Sequence, residues 1–278
     1  MWNGTSLLIG ISGVSGFIGR NLANFLVAQG DQVLGFSRGT DSGLNSIGNR
    51  ELIKTCHIFV HLSEPANINH TNRGGTKDQE LTTHLLDFLA KEFGSRLLYA
   101  SSAAVYGTNS LNPHKVTEGV HPYDSYTEMK IEHEKMVLFQ NGKVLRLSNI
   151  FGPGMSHETV TFRLRKQIQE GAPISVGSNS VRDYLYIDEA VRAIFLAIKK
   201  EHPLIMNIGS GHGRSIVELV TALSRILNIP VSLDYGEDHQ RELDCSILDI
   251  GETAEALSWV PNLDFEGQLS QMFDMEGL

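Results

Sequence analysis

The opening stretch constrains the chain more than any other part. Leu7–Ser12 is a short apolar run that feeds into Gly13-Val14-Ser15-Gly16-Phe17-Ile18-Gly19, and from Gly16 to Gln29 the apolar residues recur at helical spacing. A strand turning through glycines spaced three apart straight into a helix is the first half of a parallel β-α-β unit. Each glycine has its own task in such a turn. Gly13 permits the tight backbone, Gly16 lets amides approach a pyrophosphate at the positive helix end, and Gly19 lets the helix lie close to the sheet. The alternative is a glycine turn with no ligand; the position at the first strand–helix junction weighs against it.

The pattern continues as that unit requires. Gln32–Ser37, Ile58–Leu62, Arg96–Ser101 and Lys143–Leu147 read as further buried strands, with crossover helices over Thr76–Phe93 and Ser125–Gln140. Right-handed crossovers between such strands give a doubly wound parallel sheet. Beyond Phe151-Gly152-Pro153-Gly154 the elements shorten: a helix Asp188–Lys200 with Asp188 as its N-cap, a strand Leu204–Ile208, and a capped helix Ser215–Leu227. The expected fold is therefore α/β, a doubly wound (Rossmann) sheet with a smaller α/β substrate-binding subdomain. Residues 1–150 are assigned to the dinucleotide-binding domain and 151–278 mainly to the subdomain, with 183–210 returning to the sheet. Between Arg38 and His57 no further strand is convincing, which leaves that sheet edge truncated.

Composition narrows the function. The 278 residues carry 23 Lys and Arg against 32 Asp and Glu, a net charge of −9, which disfavours general binding to a phosphate backbone. No apolar run reaches the roughly 20 residues a membrane helix needs. The start of the chain lacks a signal-peptide pattern. Cys56 and Cys245 form no metal or CxxC spacing, and the 11 histidines make no convincing ligand cluster, so no metal is expected and a reducing cytoplasm is the natural compartment.

The second strand closes on Ser37-Arg38, without the carboxylate that usually binds the adenosine ribose of NAD. A guanidinium there suits a 2′-phosphate, so Arg38 favours NADP(H) over NAD(H). The alternative is a solvated loop arginine in a chain that takes either cofactor. Tyr126 and Lys130 stand at i and i+4, on one face of a helix, and an ammonium held beside a phenol favours the phenolate, which makes Tyr126 a usable acid or base. Such a pair alone is more often a surface pair. Its company is the strand ending Tyr99-Ala100-Ser101-Ser102-Ala103-Ala104-Val105-Tyr106-Gly107, whose carboxyl end belongs at a ligand crevice, where Ser102 can donate to a reacting oxygen.

Together these pieces resemble the extended short-chain dehydrogenase/reductase family, in its nucleotide-sugar epimerase/dehydratase branch. The resemblance runs along nearly the whole chain: the glycine loop, His61-Leu62-Ser63, Ser101–Gly107, Tyr126/Lys130, Arg146-Leu147-Ser148-Asn149-Ile150-Phe151-Gly152-Pro153-Gly154, Val181-Arg182-Asp183-Tyr184, Asn207-Ile208-Gly209, and Leu257-Ser258-Trp259-Val260-Pro261. It implies that Ser102, Tyr126 and Lys130 are catalytic. It implies a nicotinamide cofactor along Gly13, Gly16, Phe17, Ile18, Gly19, Ser37, Arg38, Leu62, Ser63, Tyr126 and Lys130, and a nucleotide-sugar substrate held by Ser102, Asn149, Arg182 and Arg241. For Arg182 and Arg241, salt bridges to Asp183 or Glu242 are the competing roles. The crossover helices resemble those through which relatives dimerise, so a homodimer is expected.

Departures from the pattern sharpen the reading. The acidic pair that sugar 4,6-dehydratases carry after the catalytic serine or threonine is here Ala103-Ala104, and alanine transfers no proton. Glu64-Pro65 replaces the usual small residues after His61-Leu62. His157 is either a second acid/base or, more readily, a polar loop residue. The leading expectation is an NADPH-dependent 4-ketoreductase of a nucleoside-diphosphate 4-keto-6-deoxy sugar. A nucleotide-sugar 4-epimerase with tightly held NAD is the alternative, and a non-catalytic NADP(H) sensor a remote one.

Overall fold

The computed structural model describes residues 6–37, 47–64, 76–108, 110–176, 180–235 and 244–277. The chain begins with β1 (Leu8–Ser12), α1 (Phe17–Ala28) and β2 (Gln32–Phe36), followed by α2 (Ile47–Lys54), β3 (Ile58–His61) and α3 (Thr76–Phe93). It goes on through β4 (Leu97–Ser102), α4 (Ser125–Phe139), β5 (Lys143–Leu147) and the short β6 (Asn149–Phe151). Then come α5 (Val160–Gln169), β7 (Ile174–Ser175), β8 (Ser180–Tyr186), α6 (Ile187–Lys199) and β9 (Ile205–Ile208). The remainder is β10 (Gly213–Ser215), α7 (Ile216–Leu227), β11 (Leu233–Asp234), β12 (Asp244–Ser246), α8 (Gly251–Leu257) and α9 (Phe265–Met275).

Six strands form one sheet in the order β2-β1-β3-β4-β5-β9, every pair parallel. Ile9 and Ile11 of β1, Phe59 and Val60 of β3, and Val144 and Leu145 of β5 are fully buried, as expected of strands covered by helices on both faces. Each such aliphatic or aromatic side chain withdrawn from water contributes about 1.5–3 kcal/mol. The order reverses between β1 and β3, so their carboxyl ends open a crevice at a topological switch point. Among the described residues β2 forms one edge of this sheet and β9 the other. The segment from which no strand was expected contains α2, while residues 38–46 lie outside the described part.

α1 buries Gly19, Leu22 and Leu26 and packs against α6. α4 is started by a capping box in which Asp124 accepts from the Thr127 amide at 2.8 Å while the Thr127 hydroxyl serves the Asp124 amide. That cap fixes the helix one residue before Tyr126 enters it. α6 differs from expectation: Tyr186 is its N-cap, and Asp188 sits exposed in the first turn, where a carboxylate faces the positive helix end. α7 begins at a Ser215/Glu218 capping box as its sequence suggests.

A second sheet is built around β8, which pairs with β10 antiparallel and with β12 and β6 parallel. β6, β10 and β12, three residues each, are too short to show a period in the sequence. Phe151 joins this layer to α9, packing edge-on to Tyr186 and Phe265 with ring centroids 5.4 Å apart. No helix among the described residues is long and apolar enough to cross a membrane.

Candidate active site

The glycine turn has the shape an anion needs. Gly13 holds φ at +74°, and its amide donates to Phe36 O at 2.8 Å, which ties the turn to the end of β2. A Cβ on Gly19 would lie 2.1 Å from Gly13 O and 2.9 Å from Val14 Cα, so only glycine allows the helix this close to the turn. Gly16 is the N-cap of α1, with no side-chain cap and no acidic residue in the first turn. The first amides of α1 are therefore left for an external acceptor, and the residues present fit a dinucleotide pyrophosphate.

A cleft of about 910 Å³ runs from that turn across the carboxyl ends of the strands. Gly13, Gly16, Phe17, Ile18 and Gly19 line it with Leu62 and Ser63, which lie against Gly13, and Ser102, Tyr126, Lys130 and Asn149 also belong to the lining. Ser101 and Ser102 divide their tasks. The Ser101 hydroxyl donates to Glu134 Oε1 at 2.5 Å, whereas Ser102 Oγ accepts from the Ala104 amide at 3.2 Å and keeps its own proton to donate. Tyr126 and Lys130, both buried, share one face of α4 as their spacing requires.

Beneath Lys130 lies a buried polar cluster. Its ammonium ion-pairs with Glu64 and donates to Ala100 O at 2.8 Å, over the Tyr99 ring at 5.0 Å. Glu64 also accepts from Tyr99 Oη at 2.8 Å and bonds His133 Nδ1 at 2.6 Å, and His133 Nε2 meets Thr83 Oγ1 at 2.8 Å. Burial opposes the charge on Glu64, but Lys130 and His133 outweigh it and hold the carboxyl well below its ordinary range. Burial likewise opposes the Lys130 charge, and Glu64, joined by Tyr126 and Glu134, more than offsets it, so the lysine stays protonated. His61, wholly buried beside Ser12, is brought down to about 4 chiefly by desolvation, against a smaller opposing pull from Glu64.

A second cluster stiffens the serine strand from behind. Arg146 forks onto Glu134, with Nε at 3.0 Å from Oε1 and Nη2 at 2.6 Å from Oε2, and donates through Nη1 to Tyr106 Oη at 2.7 Å. Tyr106 Oη in turn donates to Asn207 Oδ1 at 2.8 Å.

The substrate candidates are less uniformly placed. Asn149 lines the cleft, its Nδ2 donating to Asp183 O at 3.2 Å. Arg182 is half-buried on β8 outside the cleft lining, and its guanidinium is engaged by Asp244, Nη2 to Oδ1 at 2.6 Å and Nη1 to the backbone O at 2.8 Å. The competing salt bridge is thus real but with Asp244, because the β8–β12 register sets Ser180 against Asp244. Asp183 instead accepts from Ser210, Gly211 and Leu248 amides. Ser37 is half-buried at the end of β2 and does not line the cleft. Arg38 and Arg241 lie outside the described residues. His157 is exposed and bonds Glu276 at 3.2 Å. No group of three or more metal-ligating side chains occurs among the described residues. Sequence reasoning missed the parts that Glu64, Tyr99 and His133 play; Glu64 stood out only as a departure from the family pattern.

A glycine turn shaped for an anion at a switch point, with Ser102, Tyr126 and Lys130 in the same cleft, is the arrangement of a nicotinamide-dependent oxidoreductase with a Rossmann fold. The chain belongs to the NAD dependent epimerase/dehydratase family, whose pattern matches residues 9–209. It is 26% identical to UDP-glucuronate 4-epimerase of Thermodesulfobacterium geofontis (strain OPF15) over 94% of this chain and 93% of that one. It is also 26% identical to dTDP-4-dehydro-6-deoxyglucose reductase of Escherichia coli, over 82% of this chain and 77% of that one. Among solved structures, UDP-glucose 4-epimerase of Thermotoga maritima, determined with UDP-glucose, shares the fold with a TM-score of 0.83 at 24% identity, covering 98% of this chain and 99% of that chain.

Proposed function

We propose that this enzyme is an NADPH-dependent 4-ketoreductase of a nucleoside-diphosphate 4-keto-6-deoxy sugar. The observation that carries the reading is the alanine pair after Ser102. Ala103 and Ala104 open the turn Ala103–Tyr106 at the mouth of β4 and offer no group for proton transfer at neighbouring carbons. What remains suits redox chemistry at a single carbon. The bound nicotinamide cofactor supplies or accepts the hydride. Ser102 donates a hydrogen bond to the substrate carbonyl oxygen and polarises it. Tyr126 delivers the proton to that oxygen, and Lys130 supports the phenol and holds the cofactor ribose. Gly13, Gly16, Phe17, Ile18, Gly19, Leu62 and Ser63 bind the rest of the dinucleotide; Ser37 and Arg38 take the adenosine end. Asn149, Arg182 and Arg241 bind the substrate nucleotide, for which Arg182 must exchange Asp244 for phosphate oxygens. The reductase relative in Escherichia coli supports the same substrate class. Two buried free thiols suit a reducing compartment, and exposed Leu81 on α3 and Phe139 on α4 suit a homodimer through those helices.

A second reading is a nucleotide-sugar 4-epimerase with retained NAD, favoured by the epimerase relative that covers nearly the whole chain. The two separate in one titration. Wild type and Arg38→Ala are titrated with NADPH and with NADH, following nicotinamide fluorescence. The reductase reading expects NADPH to bind about tenfold tighter, one bidentate contact's worth, and the variant to lose that margin. Protein that purifies loaded with NAD, or prefers NADH, moves the epimerase to first place.

A further inference from the structure

The chemistry proposed above uses Lys130 but gives no task to the carboxylate beneath it. Glu64 leaves the loop after β3 and meets three side chains from two other elements, Tyr99 of β4 and Lys130 and His133 of α4, the last held in turn by Thr83 of α3. Both of its oxygens are engaged from inside the protein, Oε2 by Lys130 and Tyr99 and Oε1 by His133 at 2.6 Å. A carboxylate so engaged, with its side chain 4% exposed, is turned to the protein's own donors even though its residue lines the cleft. Nor is stability a sufficient reason for it, because a buried ion pair is commonly no better than apolar side chains of the same volume. What the pair does supply is position. An ammonium has three donors on a flexible stem. Glu64 takes one and Ala100 O another at 2.8 Å.

We propose that Glu64 is a positioning residue for the reaction: braced by His133 and Tyr99, it fixes the Lys130 ammonium so that the one remaining donor serves the nicotinamide ribose. This rests on the assignment of Lys130 as the ribose contact in the preceding section. Because Glu64 acts only through Lys130, its effect vanishes when Lys130 is gone.

The test is a double-mutant cycle on cofactor affinity. Wild type, Glu64→Gln, Lys130→Met and the double variant are titrated with NADPH by fluorescence, and each is unfolded in urea. Glu64→Gln and Lys130→Met are each expected to weaken binding about tenfold, the worth of one hydrogen bond to a charged group, with the double no weaker than Lys130→Met alone. The double is also expected to regain stability that Lys130→Met loses by stranding a buried carboxylate. Losses that multiply in the double, or wild-type affinity in Glu64→Gln, overturn the proposal. Should Glu64→Gln not fold, His133→Gln replaces it in the cycle, with the same coupling expected and the same outcome overturning it. Keto-sugar reduction by wild type is assayed separately: its absence removes the reductase reading and leaves the cycle standing. Failure of wild type to bind NADPH or NADH removes both.

Discussion

Gly19→Ala tests whether the turn, rather than composition, makes the cofactor site. The added Cβ would lie 2.1 Å from Gly13 O, 2.8 Å from Gly13 C and 2.9 Å from Val14 Cα, all backbone atoms with no side-chain freedom to give way. Restoring ordinary contact needs a shift of about 1 Å between α1 and the turn, and overpacking of this kind costs about 1–3 kcal/mol. At about 2–4 °C per kcal/mol for a chain approaching this size, Tm falls by roughly 2–12 °C. The same shift carries the Gly13–Gly16 amides away from a pyrophosphate, so Kd for reduced nicotinamide dinucleotide rises at least about tenfold, the loss of one hydrogen bond to a charged group. Gly16→Ala is the internal scale: its Cβ meets only Gly13 O, at 3.1 Å, which asks for a few tenths of an ångström. Thermal unfolding and fluorescence titration of the three proteins decide the matter. A Gly19→Ala protein with wild-type Tm and affinity, or one more stable than Gly16→Ala, refutes the reasoning.

Other consequences follow from the two buried clusters and the cleft. Tyr126→Phe removes the proton donor and leaves the glycine turn intact, so turnover falls by about 10²–10⁴-fold while NADPH still binds, as parallel kinetics and titration show. Arg146→Met leaves Glu134 as an uncompensated buried charge and is expected to cost about 3–5 kcal/mol in urea unfolding, with Arg146→Met/Glu134→Leu costing less than that single change. His61 gives a pH signature. Its drop from 6.5 to about 4 means that the unfolded chain binds a proton in that interval which the folded chain refuses. Stability is then highest above pH 6.5, declines by roughly 3 kcal/mol as the pH falls to about 4, and levels off below it. The difference in unfolding free energy between wild type and His61→Leu should carry that slope; a flat difference contradicts it.

What was legible in the sequence was local. The glycine turn, the i, i+4 pairing of Tyr126 with Lys130 and the Ser215 cap each lie within one or two turns of chain, where periodicity and capping chemistry apply. The buried strands of the main sheet were legible for a related reason, since a strand covered on both faces is a continuous apolar run. The second sheet was not: β6, β10 and β12 are three residues each and owe their existence to pairing with β8. The same limit hid the partners of charged groups. Arg182 pairs with Asp244 through a strand register, and Glu64 reaches His133 across 69 residues of chain, so neither contact leaves a spacing to read. Glu64 was visible as an unexpected residue after His61-Leu62; its meaning required the fold to bring α4 over it.

Net turnover tests the central claim most directly. Wild type and Tyr126→Phe are mixed with NADPH and a nucleoside-diphosphate 4-keto-6-deoxy sugar, following the loss of reduced-nicotinamide absorbance together with the sugar product. The account predicts one NADPH consumed per 4-hydroxy sugar formed by wild type, and almost none by the variant. Interconversion of C4 epimers of a nucleotide sugar, with no net consumption of NADPH, would contradict it.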